Sequence, residues 1–235
     1  MENNYFKPKE TPVTYCLVAI NLIVFAVLEI IGDTENGGFM LYKGALNSYM
    51  VLHFHQWYRL MTCLFMHFGI EHLANNMLLL FLLGQIFERA VGATRYLGIY
   101  LGSGLTGSFL SFMYQCLMGR NDIIAGASGC IFGLVGGMLV VIAVNRGKYA
   151  GINTKQMLFM ALITLYFGFA YAGIDNVGHI GGLTAGILIT FFSYGIPTLI
   201  WISRERKSNP SVDFGGENPY TLDKEQGNMG DKEGQ

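Results

Sequence analysis

Of the 235 residues, 52% are hydrophobic and 13% charged, against the about 25% charged that is usual in a soluble domain; with a mean hydropathy of +0.40, the chain is excluded from the ordinary soluble globular class and reads as a membrane protein. A net charge of -1 gives no nucleic-acid footprint. Cys16, Cys63, Cys116 and Cys130 lie in or beside apolar runs without Cys-x-x-Cys spacing, which points to small core residues and away from a disulfide framework or a zinc ribbon.

Residues 1–12 are polar, and Lys7, Pro8 and Lys9 imitate the charged start of a signal peptide. The apolar run 13–31 that follows is longer than the ~7 to 15 residues of a signal core and ends without an Ala-x-Ala-like cleavage site, so it is expected to remain as a span. Five more runs follow at 66–86, 94–117, 128–144, 155–172 and 178–202, each close to the ~20 residues that cross a ~30 Å hydrocarbon core. The expected architecture is all-α, a polytopic bundle of six transmembrane helices over 13–203. Between the first two runs lies a long loop, about 32–65, carrying Phe39, Tyr42, Tyr49, Phe54, Trp57 and Tyr58. Such a loop is expected at the headgroup level, where Trp and Tyr are favoured. The segment 204–235 is expected to be a cytoplasmic disordered tail, because from residue 209 it is polar and has no apolar period.

Six crossings leave both termini on one side, and the lysines and arginines choose it. With the N-terminus inside, the inner segments hold Lys7, Lys9, Arg89, Arg95, Arg146, Lys148, Lys155, Arg204, Arg206 and Lys207, whereas the outer loops hold Lys43, Arg59 and Arg120. The expected topology is N-in, C-in. Gly182 and Gly186 form a G-x-x-x-G in the sixth run, and Gly129, Gly133, Gly136 and Gly137 line the fourth. Small residues at such spacing let backbones approach closely, so the fourth and sixth helices are expected to be neighbours.

Ionisable groups at membrane depth are costly and mark interior cavities or water paths. Apart from Glu29, they are His67, Glu71 and His72 in the second run and His179 opening the sixth, with the amide of Asn76 beside them. Ser128, between Gly126 and Gly129, opens the fourth run, where a hydroxyl is either a helix cap or a nucleophile. The second, fourth and sixth helices all run from outside to inside, so His72, Asn76, Ser128 and His179 fall in one shallow outer layer. A neutral histidine within hydrogen-bond reach of a serine is its commonest general base. No carboxylate is well placed as a third member, Asp175 being in the short loop before His179, so a Ser128–His179 dyad is expected. His72 and Asn76, at i and i+4 on one face, and the Ser128 backbone N–H supply donors for an oxyanion.

These residues resemble the rhomboid intramembrane serine proteases. Gly126-Ala127-Ser128-Gly129 is similar to the family's G-x-S-G, His72-x-x-x-Asn76 to its second-helix H-x-x-x-N, and His179-Ile-Gly-Gly182-Leu-Thr-Ala-Gly186 to its last-helix histidine with G-x-x-x-G. Trp57-Tyr58-Arg59 resembles the first-loop W-R signature with one extra residue, and His67 matches a second-helix histidine of many members. The resemblance covers about 13–203 and implies the basic six-helix form, Ser128 as nucleophile, His179 as base, and His72, Asn76 and the Ser128 amide as oxyanion hole. Phe132 falls where many rhomboids carry a tyrosine stacked on the histidine. The implied partners are transmembrane protein substrates and the lipid bilayer, with no cofactor, no metal and no nucleic acid, in a cell membrane. By the same resemblance, residues 158–171 are a candidate substrate gate.

Three rival readings fit the sequence less well. A metal pair of His53 and His55 with His67 or His72 lacks a Cys or carboxylate at zinc-ligand spacing, and His67-Phe-Gly-Ile-Glu71-His72 is neither H-E-x-x-H nor its inverse. A transporter predicts inverted repeats or paired broken helices, which are absent from the sequence. A non-catalytic rhomboid-like protein that binds membrane helices predicts loss of the serine or the histidine, and both are present.

Overall fold

A computed structural model of the chain describes residues 10–153, 155–159, 162 and 175–208. Helix α1 (Pro12–Ile31) begins on a proline, whose missing N–H costs nothing in a first turn. Thr14, Leu17, Asn21, Phe25 and Leu28 form its buried stripe, while Ile20, Leu22, Ile23, Val27 and Ile30 stand exposed on other faces. An apolar outer surface of this kind suits lipid, not water.

The loop after α1 contains three short helices, α2 (Gly37–Lys43), α3 (Ser48–Phe54) and α4 (Arg59–Thr62), and a 3-10 turn at Cys63–Phe65. Asn36 and Asn47 start the first two by accepting the Phe39 and Met50 amides. Arg59, 3% exposed, fastens the loop to itself: Nη1 donates to the carbonyls of Leu41 (2.6 Å) and Ala45 (2.7 Å), and Nε to Gln56 Oε1 (2.7 Å). Tyr42, Tyr49, Phe54, Trp57 and Tyr58 remain exposed.

Helices α5 (Gly69–Val91) and α6 (Ala93–Met118) are joined at Gly92, whose φ of +84° allows the sharp reversal. Helix α7 (Ser128–Val144) is buried on nearly every side, as expected of a helix apolar all round. A two-stranded antiparallel hairpin, β1 (Lys148–Tyr149) and β2 (Ile152–Asn153), follows it. Helix α8 (Asn176–Thr190) continues through a π-helical turn, Phe191–Gly195, into α9 (Ile196–Ser208).

Helices α6, α7 and α8 pack on one another around α7, and glycine sets how closely. A β-carbon at Gly182 would strike the Gly129 backbone, and one at Gly186 the Gly133 backbone, so α7 and α8 touch chain to chain as the glycine spacing suggests. The close approach of α6 to α8, where Gly107 lies against the Gly178 carbonyl, was not expected from the sequence. At the other end of the bundle, Glu88 in the last turn of α5 is 3% exposed and accepts hydrogen bonds from Val13 N (3.0 Å), Thr14 N (2.8 Å) and Thr14 Oγ1 (2.7 Å), docking the start of α1.

Among the described residues, Pro12–Ile31, Gly69–Val91 and Asn176–Glu205 are long and apolar enough to cross a membrane, and Ser128–Val144 is a shorter apolar helix. Helix α6, with 26 residues, has the length but not the hydropathy, because Ser103, Ser108, Ser111 and Gln115 are buried along it. The fifth run, 155–172, and the candidate gate at 158–171 lie outside the described residues except for 155–159 and 162. The same holds for 1–9 and 209–235. One boundary is corrected: α9 runs to Ser208, so residues 204–208, expected in a disordered tail, are helical. The apolar residues that precede Arg204 carry the helix past its first charges.

Candidate active site

The loop before α7 is held by backbone pairing and two side contacts. Leu46 and Ile124 exchange amide-to-carbonyl bonds (2.8 and 2.9 Å), Gly126 N donates to Cys63 O (2.9 Å), and Ala127 N donates to His67 Nε2 (3.4 Å). Gly126 has φ +141°, and a β-carbon there would press on the His72 ring, so its role is conformational and steric. Ser128 is the first residue of α7, after Ala127 at the N-cap position, and among the described residues its hydroxyl caps no amide. The capping alternative is therefore not what the side chain does. Instead Ser128 Oγ lies 2.8 Å from His179 Nε2.

His179 sits in the first turn of α8, 8% exposed. Its ring stacks on Phe132, one turn after Ser128, at 4.4 Å between centroids and 23° between planes. Nδ1 has no hydrogen-bond partner among the described residues. Asp175, four residues earlier, does not reach it: its carboxylate accepts from Ser111 Oγ (2.7 and 2.5 Å) and from the Gly178 amide (3.0 Å). Burial pushes that carboxyl above its usual range, and the two hydrogen bonds pull it partly back.

His72 and Asn76 lie one turn apart on α5 and face the same cavity. The Phe68 amide donates to His72 Nδ1 (3.4 Å), so a neutral ring carries its hydrogen on Nε2, the atom beside Gly126. Asn76 donates one amide hydrogen to the His72 carbonyl (2.9 Å) and keeps the other. The cavity, about 660 Å³, is lined by Ser128, His179, His72, Asn76, Gly126, Gly129 and Phe132, with Leu79, Leu83, Ile131 and Val135 as its apolar wall. The amides of the first α7 turn have no intrahelical acceptor and point the positive end of the helix toward it. A hydroxyl bonded to an imidazole at such a place can give up its proton and attack an electrophilic carbonyl carbon.

Gly182 and Gly186 stay outside this cavity and serve packing. Glu71, exposed, stands at its wall. His53 lies against the Tyr49 ring at a tilt of 39° (4.4 Å between centroids) near the end of α3, and neither it nor His55 lines the cavity. The use of Asp175 is not anticipated by the sequence motifs. Its signal was present: an acidic residue directly before a helical run is an N-cap pattern. His67 holds the residue before Ser128 and lies edge to face with His72 (5.2 Å).

Comparison with known proteins adds an independent observation. The Rhomboid domain model of that family matches residues 54–195. The chain is 39% identical to Rhomboid protease GluP of Bacillus subtilis over 74% of its own length and 33% of that protein. It is 38% identical to RHOMBOID-like protein 1 of Arabidopsis thaliana over 63% of its length and 37% of that protein. With the Putative rhomboid protease YdcA of Bacillus subtilis the identity is 28%, over 75% of this chain and 88% of that one. The chain thus spans about a third of GluP and of RHOMBOID-like protein 1, but most of YdcA.

Proposed function

Because the chain belongs to the rhomboid family and is an integral membrane protein, we propose that it is an intramembrane serine endopeptidase, cutting other membrane proteins in or near their transmembrane segments. In this reading Ser128 Oγ attacks the scissile carbonyl carbon while His179 Nε2 takes its proton. The oxyanion accepts from the Ser128 amide, His72 Nε2–H and the free Asn76 amide hydrogen. His179 returns the proton to the leaving amine, leaving an acyl-enzyme on Ser128. Water, deprotonated by the same imidazole, then releases the acid. Each step uses groups of the chain itself, and none calls for a cofactor.

The proposed setting is a six-span bundle in the cell membrane, both termini cytoplasmic and the dyad near the outer face, where water reaches it. A substrate helix has to unwind locally, since its carbonyls are already hydrogen-bonded. What supports the reading most is one observation, the 2.8 Å contact between Ser128 and His179 from separate helices in a cavity they share with His72 and Asn76.

The test is cleavage of a synthetic transmembrane substrate by the purified, reconstituted protein. Ser128→Ala and His179→Ala are each expected to lower the rate by at least about a thousand-fold, and full cleavage by either removes the mechanism. Labelling by a fluorophosphonate in the wild type but not in Ser128→Ala separates this reading from a non-catalytic rhomboid-like protein.

A further inference from the structure

Helix α8 is poorly made to hold a base. Three of its first seven residues are glycine, Gly178, Gly181 and Gly182, and the first directly precedes His179. Glycine is among the weakest helix formers, so such a turn frays unless something outside it holds it. In a serine triad the ring is oriented through Nδ1. Here Nδ1 has no partner among the described residues, and the contacts that hold the ring there are the stack on Phe132 and the backbone beneath it.

Resting on the enzymatic reading above, we propose that Asp175 is the positioning residue for His179, fixing at the level of the main chain what the third triad member fixes at the side chain. Three contacts carry this. The Asp175 carboxylate accepts the Gly178 amide (3.0 Å), closing the first turn. It also accepts the Ser111 hydroxyl (2.7 and 2.5 Å), which fastens that turn to α6. The Asp175 carbonyl accepts the His179 amide (3.1 Å). The Gly178 carbonyl rests on Gly107, so α6 backs the same turn from behind. The carboxylate does this as a hydrogen-bond acceptor, and asparagine is an equal N-cap.

The experiment compares Asp175→Ala, Asp175→Asn and Ser111→Ala in the reconstituted full chain, by steady-state cleavage and by hydrogen exchange of the Gly178 and His179 amides. Asp175→Ala is expected to lower kcat about ten- to a hundred-fold with KM within about twofold, since small misplacement of a reacting group costs that much. Both amides should exchange faster. Asp175→Asn should restore kcat to within about threefold of the wild type, and Ser111→Ala should fall between. A folded Asp175→Ala with wild-type kcat overturns the proposal. So does an asparagine variant as slow as the alanine one, which would make charge the agent. Should Asp175→Ala fail to fold, an unchanged kcat in Ser111→Ala overturns it and a lowered one sustains it. Absence of Ser128-dependent cleavage in the wild type would instead defeat the enzymatic reading, and the exchange rates would still decide whether Asp175 holds the turn.

Discussion

The two side chains offered as oxyanion donors differ in how free they are. His72 Nε2–H is fixed by the Phe68 amide on the far side of the ring and has no competing acceptor in the contacts described, whereas Asn76 already gives one hydrogen to the His72 carbonyl. His72→Ala is therefore expected to slow turnover about a hundred-fold or more, the usual cost of one preorganised donor, and Asn76→Ala less, about tenfold. Steady-state rates on a transmembrane substrate decide the order, and a larger loss at Asn76 contradicts it. The i, i+4 spacing of this pair was legible in the sequence because a helix fixes it. The pairing of Ser128 with His179, 51 positions apart, was legible only indirectly, from their shared depth and the glycine spacing that makes their helices neighbours; the 2.8 Å contact itself is a property of the fold. Asp175 shows the complementary failure: considered as an acid for His179 and set aside, it acts on the neighbouring backbone, which a search for side-chain partners does not reveal.

At the scale of elements, boundaries were legible where polarity changes abruptly and not where burial hides a charge. The run 128–144 coincides with α7, which starts after the Gly126 turn and ends at Val144, just before Asn145. The run 66–86 misjudges α5 at both ends. Met66 and His67 are buried but belong to the loop, and the helix continues past Glu88 because that carboxylate is spent on α1. The α6 glycines went unread since Gly104 and Gly107 are three apart and sit among serines that lower the hydropathy. Close backbone contact makes a clear prediction for α7 and α8. Gly186→Ala drives a β-carbon into the Gly133 carbonyl and backbone, which no rotamer change relieves. It is expected to destabilise the protein by about 1 to 3 kcal/mol. Gly98→Ala in α6, with nothing within 4 Å, should be neutral or gain up to about 1 kcal/mol. Thermal unfolding in detergent compares the two, and equal melting temperatures would mean the helices part freely.

For the molecule as a whole, α5 ties the ends together. Its first turns carry His72 and Asn76 into the cavity with Ser128 and His179, and its last turn holds the start of α1 through Glu88. Sixteen residues of helix separate His72 from Glu88, about 24 Å at 1.5 Å per residue, most of a ~30 Å hydrocarbon core. The cavity and the first turn of α1 therefore lie at opposite ends of the bundle, whichever way it is inserted. In the proposed topology the lysine and arginine bias keeps the basic loops inside, and the cavity then falls at the outer face. In a chain with Cys16, Cys63, Cys116 and Cys130 changed to alanine, a cysteine at the exposed Asn121, on the loop leading to Ser128, should react with a membrane-impermeant maleimide in right-side-out vesicles. A cysteine at the exposed Glu10 should react only after permeabilisation. Labelling of both from outside would break the geometric argument from α5, whereas the reversed pattern would leave that geometry intact and overturn the charge rule for this chain. The two results thus separate what helix length dictates from what the loop charges dictate.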